Sequence, residues 1–151
     1  MKILGIDLGC RTVGIAISDA LEMIASPVNT YRIRENDLQG ALECVKIVIE
    51  EYGVGKIVLG LPKNMNGTIG PQAEYCLDFK KMLEEETKLE VIMVDERMTS
   101  IMANNAMLEA DLSRNKRKQN VDKIAASIIL QSYLDKKNKG EKYGRQQINL
   151  H

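Results

Sequence analysis

The stretch Lys2-Ile-Leu-Gly-Ile-Asp-Leu-Gly-Cys-Arg-Thr-Val-Gly-Ile-Ala-Ile-Ser18 carries two apolar runs, Ile3 to Leu8 and Val13 to Ile17, on either side of a short segment with Gly9 and Arg11. Two such runs across so short a gap read as antiparallel strands of one hairpin. Asp7 breaks the pattern. A carboxylate inside an apolar strand is costly to bury unless it is paired or holds a cation. The residue is therefore read as a ligand on a rigid strand, although the same Asp-Leu-Gly could serve as a turn former.

Outward from the hairpin, Met23 to Tyr31 is extended but interrupted by Pro27, which suits a third strand at a sheet edge. Asn36 or Asp37 can cap a helix in which Leu38, Ala41, Leu42, Val45, Val48, Ile49 and Tyr52 recur at helical spacing. Gly53 and Gly55 stop it, and Lys56 to Leu61 forms a short buried strand. A loop from Pro62 leads to Pro71, which can open a second helix burying Ala73, Cys76, Phe79 and Leu83. Leu89 to Val94 is a fifth strand, ending at Asp95-Glu96-Arg97. Thr99 or Ser100 caps a third helix through Ile101 to Glu109. Ala110 to Asn120, with Arg114, Lys116, Arg117 and Lys118, reads as a basic loop. A last helix runs from Val121 to about Lys136 with Ile124, Ala125, Ile128 and Ile129 as its core face.

The order β-β-β-α-β-α-β-α-α, with right-handed crossovers, predicts an α/β fold: a five-stranded mixed sheet of order 3-2-1-4-5 flanked by helices. Composition agrees with one such domain. The chain has 151 residues, 44% of them hydrophobic and 28% charged, which is globular rather than disordered. No apolar run approaches the roughly 18 residues needed to span a bilayer, so a cytoplasmic protein with no membrane partner is expected. Cys10, Cys44 and Cys76 are widely spaced and odd in number, suggesting neither disulfides nor zinc. The only histidine is His151, which removes histidine-based triads and zinc motifs. Aromatic residues total 4% with no Trp, against a surface that stacks single-stranded bases. Acidic and basic residues balance at 21 each, so a nucleic acid would be met by a local patch.

In the expected sheet, strands 1, 4 and 5 are parallel and their carboxyl ends share the edge where ligands bind. Asp7, Gly60-Leu61-Pro62 and Asp95-Glu96-Arg97 all end there. Asp122, at the start of the last helix, can add a carboxylate, because Ala125 and Ala126 allow close approach; read alone, it is a first-turn residue complementing the helix dipole. Converging carboxylates without histidine suit Mg²⁺ or Mn²⁺, which would also relieve their mutual repulsion. Two such ions on a phosphodiester activate water and stabilise the leaving oxygen. Arg11 and Arg97 suit a phosphate or a neighbouring carboxylate. Asn64, Gly67 and Thr68 precede a helix N-terminus that favours an anion. Lys116, Arg117 and Lys118 suit contact with a nucleic-acid backbone.

The motifs Gly5-Ile-Asp-Leu-Gly-Cys-Arg-Thr-Val-Gly14, Gly60-Leu-Pro-Lys-Asn-Met-Asn-Gly67, Val94-Asp-Glu-Arg97, Val121-Asp-Lys-Ile-Ala-Ala126 and Ile129-Leu-Gln-Ser-Tyr-Leu134 resemble the YqgF (RuvX) family from residue 2 to about residue 135. The resemblance implies an RNase H-like fold, kinship with Holliday junction resolvases, and a nuclease role in maturing the 5′ end of pre-16S rRNA. It implies one nuclease domain over residues 1–138; the basic stretch over 139–151 reads from its composition and terminal position as a flexible tail. Carried over, the metal-binding and catalytic carboxylates would be Asp7, Glu96 and Asp122, with Asp95 as the competing choice. Asn66 stands where many members have Asp, which weakens any acidic role for that loop. Expected partners are structured RNA or branched DNA, bound by a monomer or homodimer. A junction endonuclease cutting two strands symmetrically should be a dimer. The competing readings are such a resolvase, an actin-like nucleotide-binding protein sharing the Gly-Ile-Asp-Leu-Gly loop, and a non-catalytic nucleic-acid-binding module.

Overall fold

The computed structural model describes residues 1–62, 68–95 and 123–138. The elements are β1 (Lys2–Leu8), β2 (Thr12–Ser18), β3 (Ala25–Arg32), α1 (Leu38–Tyr52), β4 (Val54–Leu61), α2 (Pro71–Thr87) and β5 (Val91–Asp95), with a third described helix, α3, over residues 123–138. The expected helix at 101–109 and the basic loop at 110–120 lie outside the described residues, as do Val121 and Asp122. The sheet order is β3-β2-β1-β4-β5, as expected. β1–β2 and β2–β3 are antiparallel, whereas β1–β4 and β4–β5 are parallel.

Local chemistry explains the boundaries. Between β1 and β2, the Gly9 N–H donates to the Thr12 carbonyl at 2.8 Å. A Cβ on Gly9 would come within 2.8 Å of Thr12 Oγ1, so a larger residue there would have to turn the Thr12 side chain aside. Pro27 lies on the edge strand beside a register shift, where its missing N–H costs no ladder bond. Asp37, rather than Asn36, caps α1 by accepting from the Gly40 N–H at 3.0 Å. Gly53 alone ends that helix, in the left-handed conformation with φ 67°. Gly55, expected to share this role, is instead the second residue of β4, which starts two residues earlier than its apolar run.

Alternation along the strands sorts the core into two layers. Leu4, Ile6, Leu8, Val13, Ile15, Ile57, Leu59 and Val91 pack against α1 and α2 around Val45, Val48, Cys76, Phe79 and Leu83. Ile3, Ala16 and Val58 turn to the other side, against Ala126, Ile129, Leu130 and Leu134 of α3. α2 buries the four residues expected of it. α3 does not. Ala125 and Ile129 are buried as expected, but Ile124 and Ile128 are only partly covered, and Ala126, Leu130 and Leu134 complete the face. The Ile-Ala-Ala-Ser-Ile-Ile-Leu run is apolar nearly all round, so periodicity leaves its rotation open. Packing chose the side where a small residue meets the sheet most closely.

Candidate active site

Parallel pairing brings the carboxyl ends of β1, β4 and β5 to one edge. The register sets Ile6, Leu59 and Met93 side by side. One residue further along come Asp7, Gly60 and Val94. Strands lie about 4.8 Å apart, so β1 and β5 are separated here by a strand whose residue has no side chain. Asp7 is half-buried between the buried Ile6 and Leu8. Its position alternates with Leu4, Ile6 and Leu8, and thus falls with Ile3 and Gly5 on the α3 face.

Asp95, the last residue of β5, pairs with Leu61. Val91 and Met93 of the same alternation pack in the α1/α2 layer, while Val94 packs against α3. Asp95 therefore lies on the opposite face of the sheet from Asp7. Strand boundaries alone do not reveal this; it follows from the register, which sets Asp7 level with Val94.

α3 runs antiparallel to β1. Its far half is tied to the turn between β2 and β3: Gln131 accepts from the Ala25 N–H at 2.9 Å and donates to the Met23 carbonyl at 3.0 Å. Lys137 meets Glu22 at 2.9 Å, holding that carboxyl below its ordinary value of 4.5 chiefly by donating a hydrogen bond to it. Ala126 and Leu130 sit over Gly5. The first residues of α3 consequently arrive at the Asp7 edge.

α2 begins at the same edge. It opens on Gly70 without a side-chain cap and with Pro71 at its start, and Gln72 donates to the Leu8 carbonyl at 3.2 Å. Gln72 and Gly5 escaped the sequence reading; the one signal was a glycine inside an apolar strand. Thr68 is exposed just before this helix. Arg11 stands at the hairpin tip, 3.5 Å from Glu35, with both side chains largely exposed. The tip is braced from behind, since the Ile33 N–H donates to Arg11 O and the Asn36 N–H to Cys10 O. Glu96, Asp122, Asn64, Gly67, Arg97, Lys116, Arg117 and Lys118 lie outside the described residues. Among the described residues no three His, Cys, Asp or Glu side chains gather as a metal cluster, and no described helix is long and apolar enough to cross a membrane.

This sheet order, with helices on both faces, defines an RNase H-like α/β protein. Solved structures share the fold. A fowlpox virus resolvase, crystallised with substrate Holliday junction DNA, aligns with TM-score 0.57 and 14% identity over 90% of this chain and 98% of its own. Thermus thermophilus RuvC aligns with TM-score 0.53 and 11% identity over 85% and 92%. The chain belongs to the RuvX family, whose model, described as Holliday junction resolvase, matches residues 1–136. A Clostridium botulinum relative bearing the name "Putative pre-16S rRNA nuclease" is 52% identical over 139 residues, which are 92% of this chain and all of the relative. A relative of the same name from Clostridium beijerinckii is 53% identical over 135 residues, 89% of this chain and 96% of its own.

Proposed function

We propose that the chain is a divalent-cation-dependent nuclease that acts on structured precursor rRNA in the cytoplasm, in maturation of the 5′ end of pre-16S rRNA, with residues 1–138 as its nuclease domain. The observation that carries the reading is the position of Asp7: a half-buried carboxylate at the carboxyl end of β1, on the face and at the edge where α3 begins. The choice of RNA over DNA follows the names of the relatives at 52–53% identity.

Asp7, Glu96 and Asp122 are the proposed ligands. Glu96 is preferred to Asp95 because Asp95 stands on the opposite face of the sheet from Asp7. The donor set is all oxygen and without histidine, and Asp7 is half-buried, which fits Mg²⁺ or Mn²⁺. Such a cation, when bound, supplies activation of water and stabilisation of the leaving oxygen. The chain's own groups do the rest. Arg11 exchanges its exposed Glu35 for a backbone phosphate, since a surface ion pair is worth only about 0–1 kcal/mol. Asn64, Gly67 and Thr68 present the uncapped start of α2 to a second phosphate. Arg97, Lys116, Arg117 and Lys118 extend the contact along the duplex, whose RNA form is recognised through shape, phosphates and 2′-hydroxyls.

A second reading, a junction-cutting DNA endonuclease acting as a homodimer, draws on the description of the family. One experiment separates the two. The protein and Asp7→Asn are incubated with precursor rRNA and with a four-way DNA junction in Mg²⁺, Mn²⁺ or excess chelator. The expected result is cation-dependent cleavage of the RNA, abolished in Asp7→Asn. Preferential cutting of the junction would install the second reading, and cleavage surviving in chelator or in the variant would sink the carboxylate mechanism.

A further inference from the structure

We infer that Gly5 is a positioning residue for this site: by lacking a Cβ it sets how closely the start of α3 approaches the end of β1, and through that distance the affinity of the site for its cation. The inference rests on the metal-site reading above.

A Cβ built on Gly5 would lie 2.7 Å from Leu130 Cβ and 2.9 Å from the Ala126 carbonyl oxygen. Carbon atoms in contact rest at about 3.5–4.0 Å. Neither obstacle can swing aside, because one is backbone and the other is the first atom of a side chain. An alanine at this position would therefore displace α3 as a body, by about 1 Å on that same contact distance. The displacement cannot be shared evenly along the helix. Gln131 is hydrogen-bonded to Ala25 and Met23, and Lys137 to Glu22, all at the far end of the sheet. With that end tied, the helix tilts, and its first turn, nearest Asp7, moves most. A small cation with near-ideal octahedral demands tolerates such a change poorly.

The test reads cation binding without activity, by titrating Mn²⁺ into the full chain under electron paramagnetic resonance. Gly5→Ala is expected to raise the Mn²⁺ dissociation constant about tenfold, the scale seen when groups that orient metal ligands are altered. Ala126→Ser, which adds one atom to the same interface from the helix side, should move it in the same direction and serves if Gly5→Ala does not fold. Ile3→Val thins the same layer without widening it. It should lower the melting temperature and leave Mn²⁺ affinity unchanged. Wild-type affinity in Gly5→Ala, or an equal loss in Ile3→Val, would overturn the inference while leaving the metal site standing. A wild-type protein that binds no Mn²⁺ would overturn both.

Discussion

Sixteen buried residues among those described make up the layer between the sheet and α1/α2, including Phe79, the only phenylalanine of the chain, whereas seven make up the layer under α3. The first layer is drawn from four strands on the sheet side and from two long helices, with Tyr31, Tyr52 and Tyr75 packed against it. Among the described residues the second is smaller, closed by Gly5 against Ala126, and tied at its far end by Gln131 and Lys137. Depth on one face suits cohesion. Closeness on the other suits the placing of groups, because a carboxylate at the end of β1 can share a small cation only with chain that comes very near it.

The largest effect that tests this contrast is Phe79→Ala, which empties a fully buried site in the deep layer and should cost about 3–5 kcal/mol by chemical denaturation. Mn²⁺ affinity of the folded fraction should stay at the wild-type value; a parallel loss would erase the division of labour between the faces. Next comes Ser18→Ala. Ser18 is buried, accepts from the Ile3 N–H at 2.8 Å and donates to Asp19 O at 3.0 Å. Its loss leaves that N–H buried without an acceptor, for about 1–3 kcal/mol. Because it lies at the end of β1 remote from Asp7, cation affinity should not change.

The smallest effect concerns the tie at the far end of α3. Glu22 is held below its ordinary value, first by the hydrogen bond from Lys137. A depressed carboxylate contributes stability above its unfolded pKa and loses it as pH falls through the folded one. Lys137→Met should therefore lower stability at neutral pH by up to about 1 kcal/mol and flatten the loss seen on acidification below about 4.5, the ordinary value for glutamate. An unchanged acid profile would mean that this pair does not tie α3 to the sheet, leaving Gln131 and Asn138 as the tethers about which the helix tilts.

Much of this was legible in the residues. Pro27 marked an edge strand, the spacing of Ala73, Cys76, Phe79 and Leu83 marked the buried side of α2, and connection rules ordered the strands. Asp7 stood out because a carboxylate is foreign to an apolar strand. Three matters were not legible. The rotation of α3 stayed open because its residues are apolar on more than one side. Gly55 has the look of a second helix stop, although Gly53 two residues earlier already supplies the left-handed residue the helix end requires. The Glu35 partner of Arg11 follows from the way the segment after β3 folds back on the hairpin tip, and no local pattern announces it.

By itself, then, the sequence determined which residues share a face of each strand, the order in which strands join the sheet, and the edge at which their parallel ends meet, because alternation and chain connectivity are local properties. Only the tertiary structure decided which helix covers which face. The strand register sets Asp95 on the face opposite Asp7, and the choice of helix presses Ala126 onto Gly5, since the closeness of two surfaces depends on how both fill space at once.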